Sequence, residues 1–272
     1  KLGIGTLAGG LSISAIATPA KKYNIGLQLY SVRDDCAKDF PGVIKAVGKM
    51  GYTGVEFAGY YNYSAKDLRK LLDDNGLKAY GTHIGLETLL PDQFDKTVEF
   101  HKILGNEMIT VPWIPEDRRN SKAALQRTTA LFSEIGKKLR EQNMYLGYHN
   151  HMEEFKPVEG ELPWYTFFNG CSKDVFVQFD TGNAMEAGVQ AMPFLLKYPG
   201  RVLSVHVKDH SKTNPKALLG EGDVKWDEVI PIITGKAGTK WLIIEQEAYP
   251  FPPLVCVEKN LHTLRKMLKI EK

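Results

Sequence analysis

Beyond residue 22 the hydrophobic and polar positions fall into a repeating rhythm: a short run of period two, a polar turn, then a longer stretch of helical spacing. Asn24 to Val32 (NIGLQLYSV) alternates Ile25, Leu27 and Leu29 with Gly26, Gln28 and Tyr30, as a strand with two unlike faces does. Val43, Ile44 and Val47 then share one side of a helix predicted over Phe40 to Met50, which Gly51 ends. TGVEFAG is the second strand, with Gly54, Glu56 and Ala58 on one face. Ser64 is placed to cap the helix AKDLRKLLDDNG, and Asn75-Gly76 to stop it. LKAYGTHIG aligns Ala79, Gly81 and His83, and a helix from Asp92 to Leu104 and the strand EMITVPW follow. Ser121 opens a long helix to Asn143 that carries Leu125, Ala130, Phe132, Ile135 and Leu139. Strand five lies in YLGYHNHMEEF (Tyr145 to Phe155). Strand six is Val175 to Asn183, seven Arg201 to Asp209 and eight Lys240 to Tyr249, before a last helix from Val257 to Leu268.

Eight strand-then-helix units without a low-complexity linker predict an α/β fold, a single-domain (β/α)8 TIM barrel over residues 22–272. The competing doubly wound open sheet would often show a glycine-rich phosphate fingerprint after strand one, and none is there. A hydrophobic share of 43% and a charged share of 25% are ordinary for a globular protein. The net charge of +3 argues for neither a nucleic-acid nor a membrane partner. Cys36, Cys171 and Cys256 form no CxxC pair, so neither a metal knuckle nor a disulfide framework is expected. Residues 1–21 differ from the rest: a basic start, a small apolar run and an A-T-P-A end suggest the remnant of an export signal. That reading places the protein in the periplasm; the alternative is a disordered arm on a cytoplasmic protein. The run is too short and glycine-rich for a membrane span.

The candidate chemistry lies on the second face of the strands. That face carries Gln28, Glu56 and His83 on strands one to three, and His149 with His151 on five. Gln178 and Asp180 follow on six, His206 and Lys208 on seven, Glu245 and Glu247 on eight. Most sit toward the C-terminal ends of their strands, where barrel enzymes build their sites. Ionisable groups inside a barrel are costly if unpaired, and a cation together with a polar substrate would satisfy them. Asp180, His206 and Glu245 form the best metal set, with the fourth ligand either Glu154 or His149. Carboxylates with an imidazole suit a divalent ion, manganese first, with zinc, cobalt or magnesium as alternatives.

LQLYSVRD (Leu27 to Asp34), GYHNHMEEF (Gly147 to Phe155), FDTGN (Phe179 to Asn183), VHVKD (Val205 to Asp209), LGEGDVKW (Leu219 to Trp226) and IIEQE (Ile243 to Glu247) occur in an order that resembles the xylose isomerase-like barrels, known as sugar phosphate isomerases/epimerases. The resemblance covers everything after Lys22. It implies a divalent ion on strands five to eight, with Asp180, His206 and Glu245 the matching ligands. Family members commonly have a glutamate on strand five where this chain has His149. Glu154, further along in the HNHxxEF pattern, is therefore taken as the fourth ligand, with His151 left free as a base. The related apurinic-site endonucleases resemble a three-zinc site and place a histidine where Asn183 stands here, which argues against DNA repair.

The chemistry implied is proton abstraction next to a carbonyl, the ion stabilising the enediolate charge while a base and an acid move the proton. The expected activity is thus that of a metal-dependent sugar isomerase or epimerase on a small carbohydrate, with a homo-oligomer left open. His151 is the expected general base, since imidazole titrates near neutrality. Glu245 could double as ligand and base. Lys208 would polarise an oxygen or hold an anion, its alternative being an ion pair with Asp209. Gln28, Tyr30, Glu56, His83, Trp113, His149 and Glu247 are the expected substrate contacts, with Tyr30, Trp113 and Trp226 placed to stack on a sugar face. Two other outcomes keep the same residues: β-elimination that cleaves a 3-keto-glycoside, and a sugar-binding barrel without turnover.

Overall fold

In the computed structural model, which describes residues 23–270, eight parallel strands close into a barrel in sequence order. They are β1 (Asn24–Gln28), β2 (Gly54–Phe57), β3 (Lys78–His83), β4 (Met108–Val111), β5 (Tyr145–His149), β6 (Val175–Asp180), β7 (Ser204–Val207) and β8 (Trp241–Ile244). Pairing of β1 with both β2 and β8 closes the ring and rules out the open sheet. Around it lie α1 (Arg33–Met50), α2 (Ala65–Asp74), α3 (Pro91–Leu104), α4 (Lys122–Glu141), α5 (Pro163–Gly170), α6 (Thr181–Glu186), α7 (Ala191–Lys197), α8 (Trp226–Pro231) and α9 (Pro253–Met267). The export signal expected over residues 1–21 lies outside the described residues. Among those described, no helix is long and apolar enough to cross a membrane.

Ser64 and Ser121 cap α2 and α4 as their positions predict: each Oγ accepts the backbone N–H three residues on, from Asp67 and Ala124, at 3.2 Å. The strands are shorter than the alternation suggested, because side chains at their ends start the next element. Gln28 Oε1 accepts the Tyr30 N–H at 3.0 Å and turns the chain into a 3-10 segment, Leu29–Val32, so Tyr30 is not a strand residue. Asp180 likewise stops β6 by capping α6. The first helix begins at Arg33 rather than Phe40, with a kink at Asp39, whose Oδ1 accepts the Gly42 N–H at 3.0 Å across Pro41.

On the outer face Leu27, Val55, Ile109, Leu146, Val205 and Ile244 are fully buried under the helices. Inside, small residues make room for large ones. A Cβ on Gly54 would lie 2.7 Å from the Tyr80 ring, and one on Gly147 would overlap the Phe176 ring. Tyr80 reaches that place through an irregularity in β3: Val55 pairs with Ala79, but Glu56 pairs with Gly81. The extra residue turns Tyr80 inward, so Ala79 does not share the face of Gly81 and His83 as the alternation predicted. Above this packed floor the polar residues gather.

Candidate metal centre at the barrel mouth

His149, Asp180 and His206 come from β5, β6 and β7, and Glu245 directly follows β8. Each offers one ligand atom, and the four atoms lie within 4.8 Å of one another, all on buried residues. Asp180 is held from several sides. Its N–H donates to Asn150 Oδ1 at 2.9 Å, and its carbonyl accepts from Asn150 Nδ2 at 3.1 Å. One carboxylate oxygen, Oδ1, accepts the Asn183 N–H at 2.6 Å as the cap of α6. The other, Oδ2, has no hydrogen-bond partner and lies 3.6 Å from His206 Nδ1 and 4.0 Å from His149 Nε2. His206 Nδ1 also lies 3.0 Å from Glu245 Oε2, while its Nε2 meets Glu56 Oε2 at 2.6 Å.

Burial, reinforced by the His206 and His83 rings, holds His149 well below the usual imidazole range, in the neutral form a metal requires. His206 moves the other way: burial opposes its charge, but Glu56 and Glu245 raise it well above that range. Burial likewise opposes the charge of Glu245, yet Lys208 and His206 hold its carboxyl below the usual carboxylate range. Lys208 is raised, because Asp180, Glu245 and Glu247 together outweigh its desolvation. The site is therefore a mesh of opposite charges in which Asp180 Oδ2 and His149 Nδ1, both buried, have no hydrogen-bond partner. Two imidazoles and two carboxylates around an unsatisfied oxygen are a donor set that fits a divalent transition ion.

The structure gathers Asp180, His206 and Glu245 as expected, and of the two candidates from strand five it brings His149 into the group. Glu154 is instead turned into the wall, where its carboxylate accepts the Tyr148 hydroxyl at 2.6 Å and the His151 N–H at 2.7 Å. Burial pushes its carboxyl up against both hydrogen bonds. His151 stands beside His149, ring centroids 5.0 Å apart, and its Nδ1 has no hydrogen-bond partner. Lys208 does not pair with Asp209: its Nζ reaches Glu247 Oε2 at 2.7 Å and Asn183 Oδ1 at 3.0 Å, with Glu245 Oε2 at 3.8 Å. Asp209 accepts the Gly220 N–H and the Trp226 indole N–H, both at 2.8 Å. Trp226 is thereby buried under its loop and is not a stacking surface.

Among the expected substrate contacts, Gln28 and Glu56 lie beneath the group and bond to each other at 2.8 Å. Trp113 and Tyr30 are exposed, Tyr30 with the Arg33 guanidinium 4.4 Å over its ring. A cavity of about 310 Å³ opens over the centre, lined by Tyr30, Ala58, His83, Pro112, His149, His151, Glu245 and Glu247. A cleft of about 320 Å³ at the other end of the barrel, beside Arg69 and Lys78, gathers no such donor group. The braces Asn150 and Asn183 escaped the sequence reading. Asn150 falls on the outward phase of strand five, yet its side chain bonds the Asp180 backbone and its carbonyl accepts the Asn183 side-chain amide.

Comparison with known proteins agrees with the closed barrel. A family model described as a xylose isomerase-like TIM barrel matches residues 44–267. An inosose dehydratase from Bacillus thuringiensis (strain Al Hakam) is 27% identical over 134 residues, 43% of this chain and 45% of the relative. The aligned part thus spans about half the length of such curated relatives. The crystal structure of a sugar phosphate isomerase/epimerase from Parabacteroides distasonis ATCC 8503 superposes with a TM-score of 0.79 at 24% identity, covering 92% of this chain and 96% of that one. A probable 3-DHS dehydratase from Bacillus anthracis superposes with a TM-score of 0.66 at 14% identity, covering 90% and 98%.

Proposed function

The chain belongs to the xylose isomerase-like TIM barrel family, and on that premise we propose that it is a divalent-metal-dependent enzyme that removes the proton next to a carbonyl in a carbohydrate, as a sugar isomerase or epimerase does. The observation that carries this reading is the four donor atoms within 4.8 Å at the barrel mouth, with Asp180 Oδ2 and His149 Nδ1 unsatisfied. His149, Asp180, His206 and Glu245 would hold the ion, with manganese the preferred metal for a mixed nitrogen and carboxylate set. When bound, it supplies positive charge where negative charge develops on the substrate oxygens.

The protein's own groups do the rest. His151, in the cavity wall with a nitrogen free of hydrogen bonds, takes the α-proton. Lys208, its Nζ 2.7 Å from Glu247 Oε2 and 3.8 Å from Glu245 Oε2, orients both carboxylates. Tyr30 and Trp113 offer exposed rings to a sugar face. Return of the proton to the opposite face gives an epimer, and return to the neighbouring carbon an isomer.

A second reading follows from the relatives named as dehydratases. Abstraction of the same proton can be followed by loss of an oxygen substituent from the β-carbon: the C–H electron pair becomes the C=C bond, the C–O bond breaks, and an acid protonates the leaving oxygen. On a 3-keto-glycoside that step cleaves the glycosidic bond.

Incubation in D2O with ketoses and with 3-keto-glucosides separates these outcomes. Deuterium uptake with the skeleton intact is the expected result for an isomerase or epimerase, and uptake with release of the aglycone marks elimination. His151→Ala should keep the metal and lower exchange by about 10²–10⁴-fold. Undiminished exchange would reassign the base. Stoichiometric metal with no exchange on any carbonyl sugar would leave a binding barrel.

A further inference from the structure

Glu56 stands on β2, away from the strands that supply the four donor groups, yet its carboxylate is the hub of the network beneath them. Oε2 accepts from Gln28 Nε2 at 2.8 Å, and Oε1 accepts from Gln178 Nε2 at 2.7 Å. His83 Nε2 lies 3.3 Å from Oε2 and 2.6 Å from Gln178 Oε1, and Gln178 Nε2 also reaches Ser204 Oγ at 3.2 Å. The Nε2 nitrogens of Gln28 and Gln178 can only donate, so the carboxylate acts as an acceptor. His206 Nε2, at 2.6 Å from Oε2, accordingly donates to Glu56. Its other nitrogen, Nδ1, faces Asp180 Oδ2 and Glu245 Oε2. His83 lies parallel to the His206 ring, centroids 5.3 Å apart and planes within 4°, and limits its rotation.

We propose that Glu56 is a positioning residue of the metal centre. By accepting the Nε2–H it fixes the tautomer of His206 and aims the Nδ1 lone pair at the ion, while Gln28, Gln178 and His83 hold the carboxylate in place. A carboxylate behind a ligating histidine orients the ring and raises its donor strength, and loss of such a partner costs about 10–100-fold in metal affinity. This role rests on the metal-centre reading above. It also reassigns Glu56 and Gln28, which the strand pattern put among the substrate contacts, to the support of a ligand: both are fully buried and engaged with each other.

Calorimetric titration of the metal-stripped protein with Mn²⁺ tests the role without any assay of turnover. Wild type should bind one ion. Glu56→Gln, whose amide can present an N–H to His206 Nε2 and so favour the other tautomer, should bind about 10–100-fold more weakly while remaining folded. Glu56→Asp should recover part of that loss. In the Co²⁺-loaded forms, the visible absorption bands of Glu56→Gln should shift relative to wild type. Affinity and spectrum unchanged in Glu56→Gln would overturn the proposal. Should that variant not fold, ¹⁵N-histidine NMR of the zinc-loaded wild type decides: His206 bound through Nδ1 with a protonated Nε2 supports it, and binding through Nε2 overturns it. Failure of the wild type to bind any divalent ion would instead sink the metal-centre reading itself.

Discussion

Asp180 divides its carboxylate between two duties: Oδ1 caps a helix, and Oδ2 faces the histidines without a hydrogen-bond partner. Asp180→Ala should abolish stoichiometric metal binding and also cost about 1 kcal/mol of stability through the lost cap. Metal analysis and thermal unfolding of the variant check the two effects separately. His101 gives a prediction remote from the mouth. Buried under Tyr60 and Asn106, its imidazole is pushed down to about 4 by desolvation. Above about pH 6.5 the ring is neutral whether the chain is folded or not, and it contributes no pH dependence. Between about 6.5 and 4 the unfolded chain takes up a proton that the fold refuses, so stability falls with pH, by about 3 kcal/mol in all. His101→Gln should unfold over that range with a slope shallower by about one proton, measured by urea titration at a series of pH values. At this scale the sequence made Asp180, His206 and Glu245 visible, because ligand-type side chains recur near the ends of consecutive strands. The choice between His149 and Glu154 was not legible: it depends on the Tyr148 hydroxyl drawing Glu154 into the wall.

Among the elements, order and type followed from periodicity, and the serine caps of α2 and α4 from residue chemistry alone. Strand ends did not, since Gln28 and Asp180 terminate strands through side-chain bonds that leave no mark in an alternating pattern. The irregularity in β3 was hidden for a similar reason. Tyr80 reads as an outward residue until the space above Gly26 and Gly54 is known. The same floor sets a test. Gly147→Ala would drive a methyl group into the Phe176 ring, and overpacking of that kind costs about 1–3 kcal/mol. Phe176→Leu in the same chain should return part of the loss. Additive costs in the double variant, measured by denaturant unfolding, would mean that the two side chains are not in contact.

The whole molecule depends on one closing contact, β1 against β8, whose registers pair Asn24 with Trp241 and Leu27 with Ile244. Eight alternating units made that closure legible from sequence; the residues that thicken the floor did not announce themselves. Because an ion would bind the folded barrel and not the scattered ligands, Mn²⁺ at 100 times its Kd should add about 2.7 kcal/mol to unfolding, and chelation should remove it. A melting temperature indifferent to Mn²⁺ and EDTA would contradict a tight site. The four donor groups also fall in one direction along the chain, one at the end of each of the last four strands, with Glu245 the final one to be synthesised. A nascent chain that has emerged only as far as β7 holds three of the four and lacks the strand that seals the ring. On the proposed metal reading, an ion would therefore be acquired late in biogenesis, and its presence would certify that the barrel has shut.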